Sequence, residues 1–221
     1  MDRAVEGMAM AVDDFLPDST GGASRRDVLR GLAAAPIAAP VIASPRAKAL
    51  AALHDRYEDA PALLRRSREG RRISRHRFHS AEIAFMGIEA GFFVDPCHIR
   101  TTLHQAGAVA KLALCAHLLD VGFADAWNAE HVQQDIAKAL AYANATGFGH
   151  DCPEMARLAI ILSPYWKWGY PHLIGDPPMD GGGYTHDQVR VLIRALLARV
   201  ADVTGHPRPK GCGRFDRETR S

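Results

Sequence analysis

The sequence contains no run of eighteen apolar residues, the length a helix needs to cross a bilayer, so it predicts no membrane span. It has no H-E-x-x-H and no paired C-x-x-C, which removes the commonest zinc spacings. Nowhere does apolar and polar character alternate for long, which argues against a sheet-built fold. No segment repeats at a solenoid period. Charge of one sign is not in excess either: 27 Lys and Arg face 25 Asp and Glu, a net of +2. Bulk charge therefore selects neither nucleic acid nor an acidic partner. What remains is a chain of 221 residues, 48% hydrophobic and 24% charged, the composition of an ordinary globular protein with enough length to bury a core.

Periodicity and caps predict an all-α protein of five to six helices in an orthogonal or bundle-like single domain. Residues 50–64 read as a helix interrupted at Pro61. A short helix follows over 80–93, with Phe85, Ile88 and Phe92 on one stripe. Asp95-Pro96 then reads as an N-cap and N1 pair opening a long helix to about Asp120, stopped by Gly122. Its second half is apolar on every face, which marks it as central, and Ala106, Gly107 and Ala108 would let a neighbour approach closely. An alanine-rich helix spans 126–145. Asp151-Cys152-Pro153-Glu154 signals the next start, with Asp151 as cap, and that helix ends before Pro164. Thr185-His186-Asp187-Gln188 is a capping box before the cleanest period in the chain, Val189 to Val203, closed by Gly205. The domain plan is a lead segment 1–49, a helix and Arg-rich connector 50–79, a helical domain 80–205 and a frayed basic tail 206–221.

The lead segment carries an address. Arg25 and Arg26 precede a stretch from Gly31 to Ile42 made only of Gly, Ala, Leu, Ile, Val and Pro, too short to span a bilayer. Ala47-Lys48-Ala49 then supplies a small-x-small cleavage site. This order resembles the twin-arginine export signal of bacteria, with Val28 where that family usually has Phe and an acidic rather than basic first 23 residues. The resemblance implies transient contact with the twin-arginine translocation machinery and a periplasmic or exported product. Removing the first 49 of the 221 residues would leave 172.

Four places invite chemistry. Between 65 and 77 stand seven arginines, Arg65, Arg66, Arg68, Arg71, Arg72, Arg75 and Arg77, with only Glu69 opposing. Guanidinium forks fit phosphate or lipid headgroups, but an arm without aromatics offers no base-stacking platform. The arm therefore does not favour nucleic acid as a partner, and the bland expectation is a solvated, partly disordered connector. The pairs Cys97-His98, Cys115-x-His117 and His150-x-Cys152 could contribute metal ligands, yet nothing in their spacing demands one, so no metal and no cofactor is implied. Cys152 at a helix start, with His150 close by and His172 further on, outlines a cysteine-hydrolase arrangement. An oxidising compartment would allow one disulfide, from Cys152 to Cys97 or Cys115, leaving Cys212 free. Finally, Tyr165, Trp166, Trp168 and Tyr170 crowd the start of a long irregular loop, and flat rings with polar tips suit a sugar ring, a peptide or a partner protein. The leading expectation is an exported helical protein that binds a ligand or partner through this aromatic loop. A small Cys/His hydrolase centred on Cys152 and a cytoplasmic nucleic-acid binder using the arginine arm are the alternatives.

Overall fold

The computed structural model describes residues 44–90, 99–170 and 181–209, and among those residues all regular structure is helical. The Ser44 Oγ accepts from the Ala47 amide at 3.2 Å and Pro45 fills the position where no amide is needed, which starts α1 (Pro45–Tyr57). The helix ends at Glu58, whose φ of 52° turns the chain sharply. Ser67 caps α2 (Arg68–Glu89) through Gly70 N at 2.9 Å, and Phe78, Ala81, Phe85 and Ile88 form its buried stripe. The long helix α3 (Ile99–Val121) buries Val109, Ala110, Ala113, Leu114, Ala116 and Leu118 completely. A single turn, α4 (Asp125–Trp127), runs into a π-helical turn at Asn128–Val132. Then come α5 (Ile136–Ala145), α6 (Pro153–Leu162), a second single turn α7 (Trp166–Gly169), a 3-10 turn at Gly181–Gly183 and α8 (His186–Thr204).

The apolar girdle of α3 decides the architecture. It packs against α2, α8, α5, α7 and α6, so every other large helix except α1 finds its apolar face there. Each fully buried Leu, Phe or Ile on those faces contributes about 1.5–3 kcal/mol of transfer free energy. Helix α1 instead docks on α5. The capping box at Thr185 forms as expected, with Gln188 N to Thr185 Oγ1 at 3.3 Å and Thr185 N to Gln188 Oε1 at 2.9 Å.

Several expectations need correction. The described residues hold eight α-helical segments rather than five or six, because α4 and α7 are single turns with no period to betray them. The arginine stretch is not a loose connector: from Arg68 it is the first half of α2, with Arg71 bonded to Asp120 at 2.7 Å and Arg77 to Asp125 at 2.6 Å. Arginine is a good helix former, and Gly70 inside the first turn is tolerated beside the Ser67 cap. The helix read over 126–145 is split, since Gln133 leaves helical geometry and Asp135 caps a fresh start at Lys138 N, 2.9 Å. The cap of α6 is Cys152 rather than Asp151, as Pro153 takes N1. The tail reading fails over its first residues. His206 is buried 2.7 Å from Ser74, and His79 bonds the Pro207 carbonyl at 2.9 Å. Arg208 joins Arg194 on the fully buried Glu82. The helix start expected at 95–96, Phe92 and the rest of the tail lie outside the described residues.

Candidate ligand-binding site

The end of α1 places one carboxylate where several donors converge. Glu58 adopts a left-handed conformation, and the turn it makes carries Asp59 onto α5. The Asp59 side chain is 5% exposed and takes Lys138 Nζ at 2.8 Å on Oδ1 and the Tyr142 hydroxyl at 2.7 Å on Oδ2. His131 Nδ1, from the π turn, stands 3.5 Å from the same Oδ1. The Ala62 amide donates to His54 Nε2 at 3.3 Å, which leaves the His54 proton on Nδ1, 3.3 Å from the Tyr142 oxygen. The result is a directed chain from Ala62 through His54 and Tyr142 to Asp59. Trp127 seals it from below, its indole nitrogen donating to the Ala60 carbonyl at 2.9 Å and its ring edge-on to both His54 and Tyr142.

Charge follows from this geometry. Burial alone would raise the Asp59 carboxyl, but the hydrogen bonds from Lys138 and Tyr142, with the charges of Lys138 and His131, hold it below its ordinary value. Burial lowers His54, which keeps it neutral, and burial together with the bond to Asp59 raises Tyr142.

Two members of this cluster, His131 and Lys138, face outward into a cleft of about 520 Å³. Its other walls are Val132, Gln133, Gln134 and Asp135 on one side and Ser163, Pro164 and Trp166, from the α6–α7 turn, on the other. The backbone around it is unusual. A π turn forms one edge, and Gln133 (φ 49°) ends it; Gln133 and Glu58 are the non-glycine residues with positive φ among those described. A π turn and a side-chain-bearing residue in a sparsely populated region each cost free energy and concentrate at functional sites. The polar groups have defined states. Lys138 spends one N–H on Asp59 and lies 4.8 Å from the Tyr57 ring centre, so its charge is already matched. Gln134 keeps a buried Oε1 with no protein partner. Ser163 is committed, its Oγ donating to Ala159 O at 2.7 Å and accepting from Ala137 N at 3.0 Å.

The aromatic cluster is dispersed by α7. Trp166 lines the cleft. Trp168 is 4% exposed with its indole nitrogen on Ile161 O at 3.0 Å, a core residue. Tyr165 packs into the notch at Gly107, and Tyr170 is half exposed, edge-on to His104. The Cys152 thiol donates to the Glu154 carboxylate at 3.4 Å, while the His150 amide and carbonyl are tied to Asn144. His172 lies outside the described residues, as do Arg25, Arg26, Cys97 and Cys212. Cys115 and Cys152 both carry free thiols, so of the two pairings expected for Cys152, with Cys97 or with Cys115, the one with Cys115 is not formed. Among the described residues no three His, Cys, Asp or Glu side chains gather closely enough to hold a metal ion. Ala47 and Ala49, the small residues of the expected cleavage site, sit in α1.

Sequence reasoning missed Asp59, His131, Lys138 and Tyr142. The one readable signal was Asp135 ahead of the apolar positions Ile136, Ala139, Leu140 and Ala143, which marks a helix start and would have isolated the π turn. Comparison of the chain with models of known families, with curated proteins and with solved structures found no match.

Proposed function

We propose that this protein binds a small, uncharged, hydroxyl-rich molecule such as a saccharide in the cleft between the π turn and the α6–α7 turn. The observation that carries the reading is the pairing of walls: Trp166 on one side, and on the other a donor, Lys138, and the exposed carboxamide of Gln133. A ligand with hydroxyl groups both donates and accepts, and so satisfies both. Because Asp59 neutralises Lys138 at 2.8 Å, the cleft has no spare positive charge to favour an anion. A sugar ring offers apolar C–H faces to an indole, as the residues of such sites generally require.

Titration of a panel of mono- and disaccharides, followed by tryptophan fluorescence and ligand-observed NMR, tests it. Trp166→Ala should abolish binding and leave the melting temperature nearly unchanged, while Trp168→Ala should unfold or strongly destabilise the protein. Absence of binding by every sugar up to millimolar concentration, or binding that survives Trp166→Ala, refutes the proposal. Export through the twin-arginine route is part of the same reading, supported by the order of Arg25-Arg26, apolar stretch and Ala47-Lys48-Ala49. A secreted product beginning at Leu50 checks it; a chain retained in the cytoplasm uncut sinks it.

A further inference from the structure

A second cleft, of about 300 Å³, lies between the start of α1 and the end of α5. Two arginines reach it from different parts of the chain, Arg46 from the first turn of α1 and Arg66 from the link ahead of α2. We propose that it is a binding site for a small organic anion, a carboxylate or phosphate monoester carrying an apolar group.

The argument starts from the arginines. Six others of the described chain, Arg71, Arg72, Arg77, Arg190, Arg194 and Arg208, are paired with carboxylates at the protein surface or in the core. Arg46 and Arg66 have no carboxylate or carbonyl partner among the described residues, and no acidic side chain lines the cleft they share. Arg46 is nonetheless placed. Its guanidinium lies flat on Gly147, where a Cβ would come within 2.9 Å of Cζ, and the φ of +98° there keeps the position for glycine. Two guanidinium groups on one concave surface repel each other until an anion joins them, and their forks match the oxygens of a carboxylate or phosphate.

The remaining lining decides what the anion carries. Leu50, Leu64, Val121, Ala145 and Ala47 make an apolar floor, and Leu64 stays 42% exposed. A bare inorganic ion would leave that floor wet. The volume holds about ten non-hydrogen atoms at roughly 30 Å³ each, the size of an anionic head with one ring or short chain. Buried His117, beneath Thr146, adds no charge of its own. Burial foremost, and further the charges of Arg199 and Arg66, hold its pKa down at about 4. The positive potential at this cleft therefore comes from arginines that stay charged at every physiological pH.

The test uses the full chain. Isothermal titration with phenyl phosphate and benzoate should show saturable one-site binding, with inorganic phosphate weaker and benzyl alcohol silent. Arg46→Gln and Arg66→Gln should each weaken phenyl phosphate by about tenfold or more, the loss of a charge-assisted contact, with melting temperatures unchanged. Phosphatidylglycerol vesicles, against phosphatidylcholine controls, separate the sources of the anion. If they bind and both variants lose that binding along with phenyl phosphate, the anion is a lipid headgroup and the site stands. Vesicle binding without small-anion binding overturns it, as does anion binding that neither substitution weakens, or no anion binding at all. Arg66→Gln lies outside any helix, so it keeps the test valid should Arg46→Gln disturb α1.

Discussion

Gly107 is where one missing methyl group sets the position of the cleft wall. A Cβ built there would fall 2.1 Å from Tyr165 Cβ, 2.9 Å from its Cγ and 3.4 Å from its Cα. Carbon atoms in contact sit about 3.5–4.0 Å apart, so Gly107→Ala requires a retreat of roughly 1.5 Å. The struck atom is one bond from the backbone and no rotamer moves it aside; the segment carrying Tyr165 and Trp166 has to shift as a unit. Overpacking of this kind costs about 1–3 kcal/mol, and a retreat of this size belongs at the upper end. Against it stands the gain of about 1 kcal/mol when alanine replaces glycine inside a helix. The expected outcome is a net loss of about 1–2 kcal/mol, read by urea unfolding, together with a changed Trp166 environment in fluorescence. A variant as stable as the parent, or more so, would show that α7 does not rest on α3 at this point. The placement of Trp166 in the cleft would fall with it.

Two further outcomes follow from burial and pairing. Leu114→Ala, at a completely buried position on α3, should cost about 2–5 kcal/mol in chemical denaturation; a loss below about 0.5 kcal/mol would deny the helix its central place. Asp59→Asn removes the charge that matches half-buried Lys138 and should cost about 2 kcal/mol at neutral pH, within the range for hydrogen bonds to a charged group. Because the folded state holds the Asp59 carboxyl below its ordinary value, the stabilisation is fully present above the ordinary carboxyl pKa of about 3.9 and disappears as pH falls through the lower folded value. The gap between wild type and Asp59→Asn should thus close in acid. A gap independent of pH would mean that Asp59 contributes shape rather than charge.

The parts of the fold that were legible in the sequence are those whose signals are local. The apolar girdle of α3, the capping box of α8 and the close approach at Gly107 each announce themselves within a few residues, and all three are present. The cleft was legible only through Trp166. Asp59 and Lys138 lie 79 positions apart, and no spacing rule joins residues that meet because two helices cross. The aromatic cluster misled for a related reason. Residues two apart on a helical turn point in different directions, so Trp168 enters the core while Trp166 stays at the surface. The arginines of α2 misled because composition was allowed to outweigh a good cap, Ser67, and a buried stripe that begins with Ser74 and Phe78.

Helix α1 is unevenly owned by the fold. Residues 44–49 are all exposed, and inward contacts begin at Leu50 and Leu53 and become firm at His54. The expected cleavage point after Ala49 falls on that boundary. Opening the outer half sacrifices the Ser44 cap and a turn of exposed backbone bonds, a local event far cheaper than unfolding the domain. A peptidase acting there would leave His54, Tyr57 and Asp59 in place, and with them the π-turn cleft. It would carry away Ser44, Arg46 and Ala47, one whole side of the arginine cleft. On the two proposed readings, maturation would be irreversible in a chemical sense as well as a spatial one: the precursor would hold two ligands and the mature chain one, with any anion at Arg46 released as the leader departs.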